Sequence, residues 1–180
     1  MTGGWKCFAF ALLSAGMWHA SSALAIVIDF NTISLGANQY RYEYVVRNDG
    51  SLGPGVSVAL FDIEFDPVLY RESSLTIVTP DPLKSQWDEL LLASAPGLAA
   101  AYDALALAAG VGVAEVVSGF AVEFEWLGSG RPGTQTYLVF DPNTNAIIET
   151  GQTGAMPEPA SIGLLLLGFV ALMRARLVAR

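Results

Sequence analysis

The sequence predicts a mainly β protein, an antiparallel β-sandwich of the immunoglobulin-like or jelly-roll-like type. Short runs alternate apolar and polar residues, most clearly at 61–66 and 120–126, where every second residue is Phe, Ile, Val or Trp. Gly, Pro, Asn and Asp separate these runs at short intervals, as in a sandwich of short strands. An N-terminal signal peptide and one C-terminal transmembrane helix flank the predicted domain.

Each predicted strand is an alternating or β-branched run that ends at a turn residue. The second strand, for example, alternates Tyr with other residues before an Asn-Asp-Gly turn, and Pro67 ends the third. In chain order, the predicted strands cover residues 29–32, 40–46, 56–65, 74–78, 87–92, 120–126, 134–140 and 146–149.

Two stretches have a less definite pattern. Residues 99–109 are rich in Ala and Leu, which favours helix, so both a short central helix and an edge strand fit them. Residues 150–155 contain Gly151 and Gly154 and predict a short linker. The sandwich domain is therefore predicted to cover residues 26–149.

Residues 1–25 have the three parts of a secretory signal peptide. Lys6 supplies a positive charge, residues 8–17 form an apolar stretch, and Ala23 and Ala25 form a small-x-small site for signal peptidase. We therefore expect cleavage after Ala25 and a mature chain that begins at Ile26.

Residues 156–180 form a three-part C-terminal segment. A Pro-Glu-Pro tripeptide is followed by an uncharged apolar run and a basic cluster. A helix over 160–178 approaches the roughly 30 Å of a bilayer core if its arginines extend to the interface, and the basic end then faces the cytoplasm. The tripeptide is Pro157, Glu158 and Pro159, and the basic residues are Arg174, Arg176 and Arg180.

This C-terminal arrangement resembles the PEP-CTERM sorting signal of Gram-negative bacteria. The resemblance implies recognition of the tripeptide by exosortase, passage through the inner membrane, and delivery to the outer envelope, cell surface or extracellular matrix. It also implies an association with exopolysaccharide and biofilm. Gly119-Phe120, Trp126-Leu127-Gly128 and Pro132-Gly133-x-Gln135 are similar to β-sandwich ectodomains of PEP-CTERM proteins, and this implies no activity.

Composition excludes several chemistries from the predicted mature domain. The only Cys and the only His are Cys7 and His19, so neither thiol nor His-based catalysis is expected there. Residues 26–155 hold five basic and sixteen acidic residues, a net charge of −11 that argues against nucleic acid as a partner. We expect no cofactor and no enzymatic activity.

Three groups of side chains leave alternatives open. Glu123 and Glu125 share one strand face at about 6.6–7 Å, near the separation in inverting glycosidases, although a solvated strand face carries the same pair. The acidic group at Asp62, Glu64 and Asp66 suits Ca²⁺ or a solvated face. The tyrosines and the turn arginine suit either a sugar-binding site or ordinary packing and exposure, and they are Tyr40, Tyr42, Tyr44 and Arg131.

The sequence therefore predicts an exported surface or matrix protein that is sorted by exosortase and has a structural or adhesive role. The alternatives are a module that binds carbohydrate or Ca²⁺ and a glycan-active enzyme that uses Glu123 and Glu125. The sequence names no ligand and no oligomeric state.

Overall fold

The computed structural model describes residues 26–156, which form ten β-strands and two single-turn 3-10 helices. The helical turns are Glu72–Ser74 and Leu83–Ser85. The strands are β1 (Val27–Gly36), β2 (Gln39–Arg47), β3 (Leu60–Phe65), β4 (Thr76–Ile77), β5 (Trp87–Leu92), β6 (Ala100–Ala106), β7 (Val116–Glu125), β8 (Thr136–Phe140), β9 (Ile147–Gln152) and β10 (Gly154–Ala155).

These strands make two five-stranded sheets that face each other. Sheet I has the order β10-β1-β2-β7-β4, and sheet II has the order β5-β6-β3-β8-β9. Neighbouring strands are antiparallel except β1 and β10, which are parallel. The prediction of a mainly β sandwich is confirmed.

Aromatic side chains from both sheets meet in a single core. Phe61 of β3 contacts Phe120 of β7 edge to face at 5.2 Å between ring centroids, and Tyr44 of β2 stacks on Tyr102 of β6 at 6.3 Å. All four residues are fully buried because the alternation along each strand directs them to one side. Burial of a Phe side chain of this kind contributes about 1.5–3 kcal/mol.

Buried hydroxyl groups in this core are satisfied by the segment that leads into β8. The Tyr42 hydroxyl donates to the carbonyl of Gly133 at 2.7 Å, and the Tyr44 hydroxyl donates to Gln135 Oε1 at 2.6 Å. Gln135 Nε2 in turn donates to the carbonyl of Glu64 at 3.1 Å. The Pro-Gly-x-Gln motif therefore ties sheet I to sheet II, since a buried polar group without a partner would cost about 1–3 kcal/mol.

A β-bulge lets β7 follow β2 along its full length. Tyr44 pairs with Phe120 and Val45 pairs with Ser118, so Gly119 is the extra residue. Its φ of 109° lies where a side chain is strained, which explains a glycine inside a long strand.

Two expectations are wrong. Of the two alternatives for residues 99–109, the short helix is wrong, and the strand forms as β6 in the interior of sheet II and not at an edge. It pairs with β3 on one side and β5 on the other, and this pairing overrides the local preference of Ala and Leu. Residues 150–155 are not a linker. They complete β9 and form β10, which pairs with β1, so the sandwich extends to the end of the described residues at Met156.

Most other strand predictions are confirmed. The predicted strand at 87–92 matches β5, and those at 40–46, 120–126 and 134–140 overlap β2, β7 and β8. The run at 74–78 contains only the two-residue β4, and β1 continues beyond the predicted end at residue 32.

Candidate functional site

The outer face of sheet II carries a cluster of apolar side chains, four of them exposed and two (Leu138 and Phe140) half-buried, which we call the apolar face. It comprises Leu90 and Leu92 of β5, Leu98 of the next loop, Leu138 and Phe140 of β8, and Ile147 of β9. Leu98 is 68% exposed and Ile147 is 58% exposed. Most of these side chains, with Asp62 and Glu64 of β3, line a groove of about 370 Å³.

A pair of carboxyl groups lies in the middle of the apolar face. Asp62 of β3 and Asp103 of β6 are directly opposite each other, and both point away from the core because the residues on either side of each are buried. Asp62 Oδ1 is itself buried and has no hydrogen-bond partner among the described residues. This atom is an acceptor that the domain leaves unused.

Burial and proximity shift the pKa values of both carboxyl groups. Burial, followed by the hydrogen bond with Asp103 and its negative charge, raises the pKa of Asp62 to about 7. Burial also raises the pKa of Asp103, while the hydrogen bond from Asp62 lowers it. From these directions we infer that Asp62 stays protonated at mildly acidic pH and donates a hydrogen bond to Asp103, and that the pair becomes more negative near neutrality.

Sheet I contrasts with this arrangement, because three of its outer carboxylates are paired with arginines, although Glu43 of β2 forms no ion pair within residues 26–156. Within residues 26–156 three ion pairs form, and each uses a carboxylate of sheet I. Asp62, Glu64 and Asp103 have no such partner in that part of the chain. The pairs are Arg41–Glu123 at 2.5 Å, Arg47–Asp29 at 3.3 Å and Arg71–Glu125 at 2.7 Å.

The geometry does not favour Glu123 and Glu125 as a glycosidase pair. Both lie on the outer face of β7, as the strand spacing predicts, but each binds a different arginine. The hydrogen bond from Arg71 lowers the pKa of Glu125, whereas a general acid needs a raised pKa. The arrangement matches the alternative of a solvated strand face.

The acidic group predicted as a Ca²⁺ site does not come together. Asp62 and Glu64 share the outer face of β3, but Asp66 follows the strand, and its Oδ1 accepts from the backbone N–H of Val68 at 2.9 Å. Nowhere in residues 26–156 do three or more acidic side chains form a group that could hold a metal ion. Asp62 instead pairs with Asp103, which the sequence did not associate with it.

The tyrosines of β2 belong to the core. Tyr42 and Tyr44 are fully buried, and Tyr40 packs beside them against Phe124. Of the two alternatives for these tyrosines, ordinary packing is confirmed, and the rings of Tyr42 and Tyr44 are not available to stack on a sugar. Arg131 is exposed in a loop, where its guanidinium donates to the carbonyl of Thr32 at 3.3 Å.

The sorting and processing residues lie outside the described residues. These are Ala23, Ala25, Pro157, Glu158, Pro159, Arg174, Arg176 and Arg180, together with the transmembrane helix predicted at 160–178. Among residues 26–156 no helix has the length and apolar character needed to cross a membrane.

Comparisons with known proteins give only a distant likeness. No family model and no curated protein matches the chain. Among the solved structures that match, two have 11% identity and a TM-score of 0.33: a type I cohesin–dockerin complex from Clostridium thermocellum, and a complex of a CaDoc0917 variant with CaCohA2. Each match covers 72% of this chain and 99% or 100% of the other.

Proposed function

We propose that this chain is an exported, exosortase-sorted protein of the PEP-CTERM type with a structural or adhesive role at the cell surface or in the matrix. The predicted signal peptide at 1–25 and the tripartite segment at 156–180 support export and sorting. The protein acts by binding and not by catalysis.

The main support for an adhesive role is the apolar face of sheet II, with its central carboxyl pair. Soluble monomers rarely leave apolar side chains grouped in this way unless something covers them. Asp62 and Glu64 line the groove, and Asp103 lies opposite Asp62 on the same face, so the apolar face carries negative charge without an arginine or lysine partner within residues 26–156. The complementary surface is therefore apolar with a Lys or Arg near its centre.

The occupant is therefore a basic, apolar protein segment of another surface or matrix component. A second copy of this chain would bring acidic groups against acidic groups. A polysaccharide would find mainly aliphatic side chains in the groove, with the half-buried Phe140 as the one aromatic residue among those that line it, whereas sugar rings stack on aromatic side chains, and Tyr42 and Tyr44 are buried.

Sorting is tested by the intact mass and the C-terminal peptide of the protein recovered from the producing bacterium. The proposal expects a chain that starts at Ile26 and ends near Pro157–Pro159. A chain that still ends at Arg180 in the membrane fraction would contradict exosortase processing.

The partner class is tested with purified protein added to cells of a strain that lacks the gene. Retention should fall strongly after the cells are treated with protease and should persist after periodate oxidation of surface glycans. The reverse pattern would assign the partner to the exopolysaccharide and would contradict a protein occupant.

A further inference from the structure

Ile26 is held at both of its backbone polar groups by side chains of sheet II. Its N–H donates to Glu149 Oε1 of β9 at 2.9 Å, and its carbonyl accepts a hydrogen bond from the hydroxyl of Tyr137 on β8. The Ile26 side chain is part of the core and is only 1% exposed. The residue before β1 is therefore fixed between the two sheets.

The surroundings of Glu149 are shaped for this contact. Gly151 lies opposite Tyr137, and a Cβ atom at Gly151 would come within 2.5 Å of the Tyr137 ring. Only glycine therefore leaves room for the ring to cross β9 and reach Ile26. Ser51 Oγ donates to Glu149 Oε2 at 3.3 Å and orients the carboxylate. Within residues 26–156 no Lys or Arg forms an ion pair with Glu149.

A neutral peptide N–H donates a single hydrogen bond and leaves the negative charge of the Glu149 carboxylate without a positive partner. Hydrolysis of the Ala25–Ile26 bond adds the hydroxyl of water to the carbonyl carbon of Ala25 and a proton to the nitrogen of Ile26. That nitrogen becomes an α-ammonium, with three donors and a positive charge, at the atom that already contacts Glu149.

We propose that Glu149 is the binding site for the α-ammonium group that removal of the signal peptide creates at Ile26. The inference rests on the proposed export and cleavage after Ala25. Processing then replaces a neutral hydrogen bond with a partly buried ion pair, so the start of β1 is held to sheet II more firmly in the mature chain than in the precursor.

The first test measures the reactivity of the α-amine in the exported protein. Mass spectrometry first establishes the N-terminal residue, and the folded protein is then treated briefly with an acylating reagent. Lys84 is exposed and is the only other amine in residues 26–180, so it serves as an internal standard. Relative to Lys84, the Ile26 amine should react at least about tenfold more slowly in the native protein than after denaturation.

Glu149→Gln supplies the decisive variant, because it keeps the shape and removes the charge. It should restore the reactivity of the α-amine and lower the Tm. In a chain with two added residues, Ser-Gly, inserted before Ile26, the same substitution should change the Tm much less, because the amine has moved away. Equal Tm losses in both backgrounds, or an amine that reacts as fast in the wild type as in Glu149→Gln, would overturn the inference.

The experiment separates this inference from the proposed function. If the exported chain starts elsewhere, the predicted signal peptidase site is wrong. An N-terminus at Ile26 can then be made in the full-length chain by inserting the recognition site of a specific protease directly before Ile26 and cleaving there. Protection of that new amine would still support the Glu149 site. If Glu149→Gln fails to fold, the test is the slow acylation of the Ile26 amine in the wild type. This acylation should be faster in Ser51→Ala, and an equal rate in the two proteins would overturn the inference.

Discussion

The two outer faces of the sandwich differ in how many of their acidic residues are paired with arginine: three on sheet I, where only Glu43 of β2 is left without an ion pair, and none on sheet II within residues 26–156. On sheet I, Asp29, Glu123 and Glu125 each contact an arginine at 3.3 Å or less. On sheet II, Asp62 has only another acid, Asp103, as its partner, and leucines surround the pair. The same strand alternation produces both faces, so the difference lies in which side chains are outward and not in the backbone.

This difference separates a face that suits water from a face that suits a partner. Exposed ion pairs cost little and contribute little, because water and salt screen them. A carboxyl pair amid apolar side chains raises the free energy of the isolated domain, since burial disfavours its charge. A basic partner would relieve that cost, which is why we place the binding site on sheet II.

The largest expected effect is on binding. The isosteric double variant Asp62→Asn, Asp103→Asn removes the charge of the carboxyl pair on sheet II and should reduce retention on cells that lack the gene by about tenfold or more, since one lost charge-assisted contact is worth that much. The matched double variant Glu123→Gln, Glu125→Gln on sheet I should bind like the wild type. Equal losses in both would show that only overall charge matters.

The next effect is on stability as a function of pH. The pKa of Asp62 is about 7 in the folded protein, against an ordinary value of 3.8 for an aspartate in water, so the folded state binds more protons between these values. The free energy of unfolding should therefore fall as the pH rises from about 4 to 7.

Asp62→Asn should remove most of that fall and should raise stability at pH 8 by about 1–2 kcal/mol, a range that allows for the partial exposure of the group. Denaturant titrations at several pH values would measure it. An unchanged pH profile in the variant would show that the pair does not share a proton.

The smallest effect is expected on sheet I. Glu123→Gln breaks the ion pair with Arg41, whose side chain is 35% exposed, so the free energy of unfolding should change by about 0–1 kcal/mol, and less in high salt. Urea denaturation with and without added salt would measure this. A loss well above that range would mean that the pair anchors β2 to β7.

The fold was largely predictable because its signals are local. The alternation in β3 and β7 directs Phe61 and Phe120 inward, and this can be predicted from the sequence of each strand alone. The two wrong expectations concern β6 and β10, where pairing with distant strands decides the outcome. Ala-rich residues 100–106 become a strand because β3 and β5 both lie beside them, and the sequence of residues 100–106 alone does not predict this pairing.

The candidate site was less predictable, because it depends on register between strands. The sequence placed Asp62 on an outward face, but only the pairing of β3 with β6 brings Asp103 opposite it. The outward position of Asp103 between the buried Tyr102 and Ala104 was a usable signal once residues 100–106 were taken as a strand. Likewise, Glu149 contacts Ile26 across 123 positions of sequence, a separation that no local pattern spans.

The central claim is that the apolar face of sheet II binds a basic partner, and one paired measurement tests it most directly. Leu92→Arg places a positive charge on that face, and Leu35→Arg makes the same change on β1 of sheet I, at residues that are 42% and 46% exposed. The account predicts that Leu92→Arg abolishes retention on the cell surface and that Leu35→Arg binds like the wild type, both with unchanged Tm. Full retention of Leu92→Arg would contradict it.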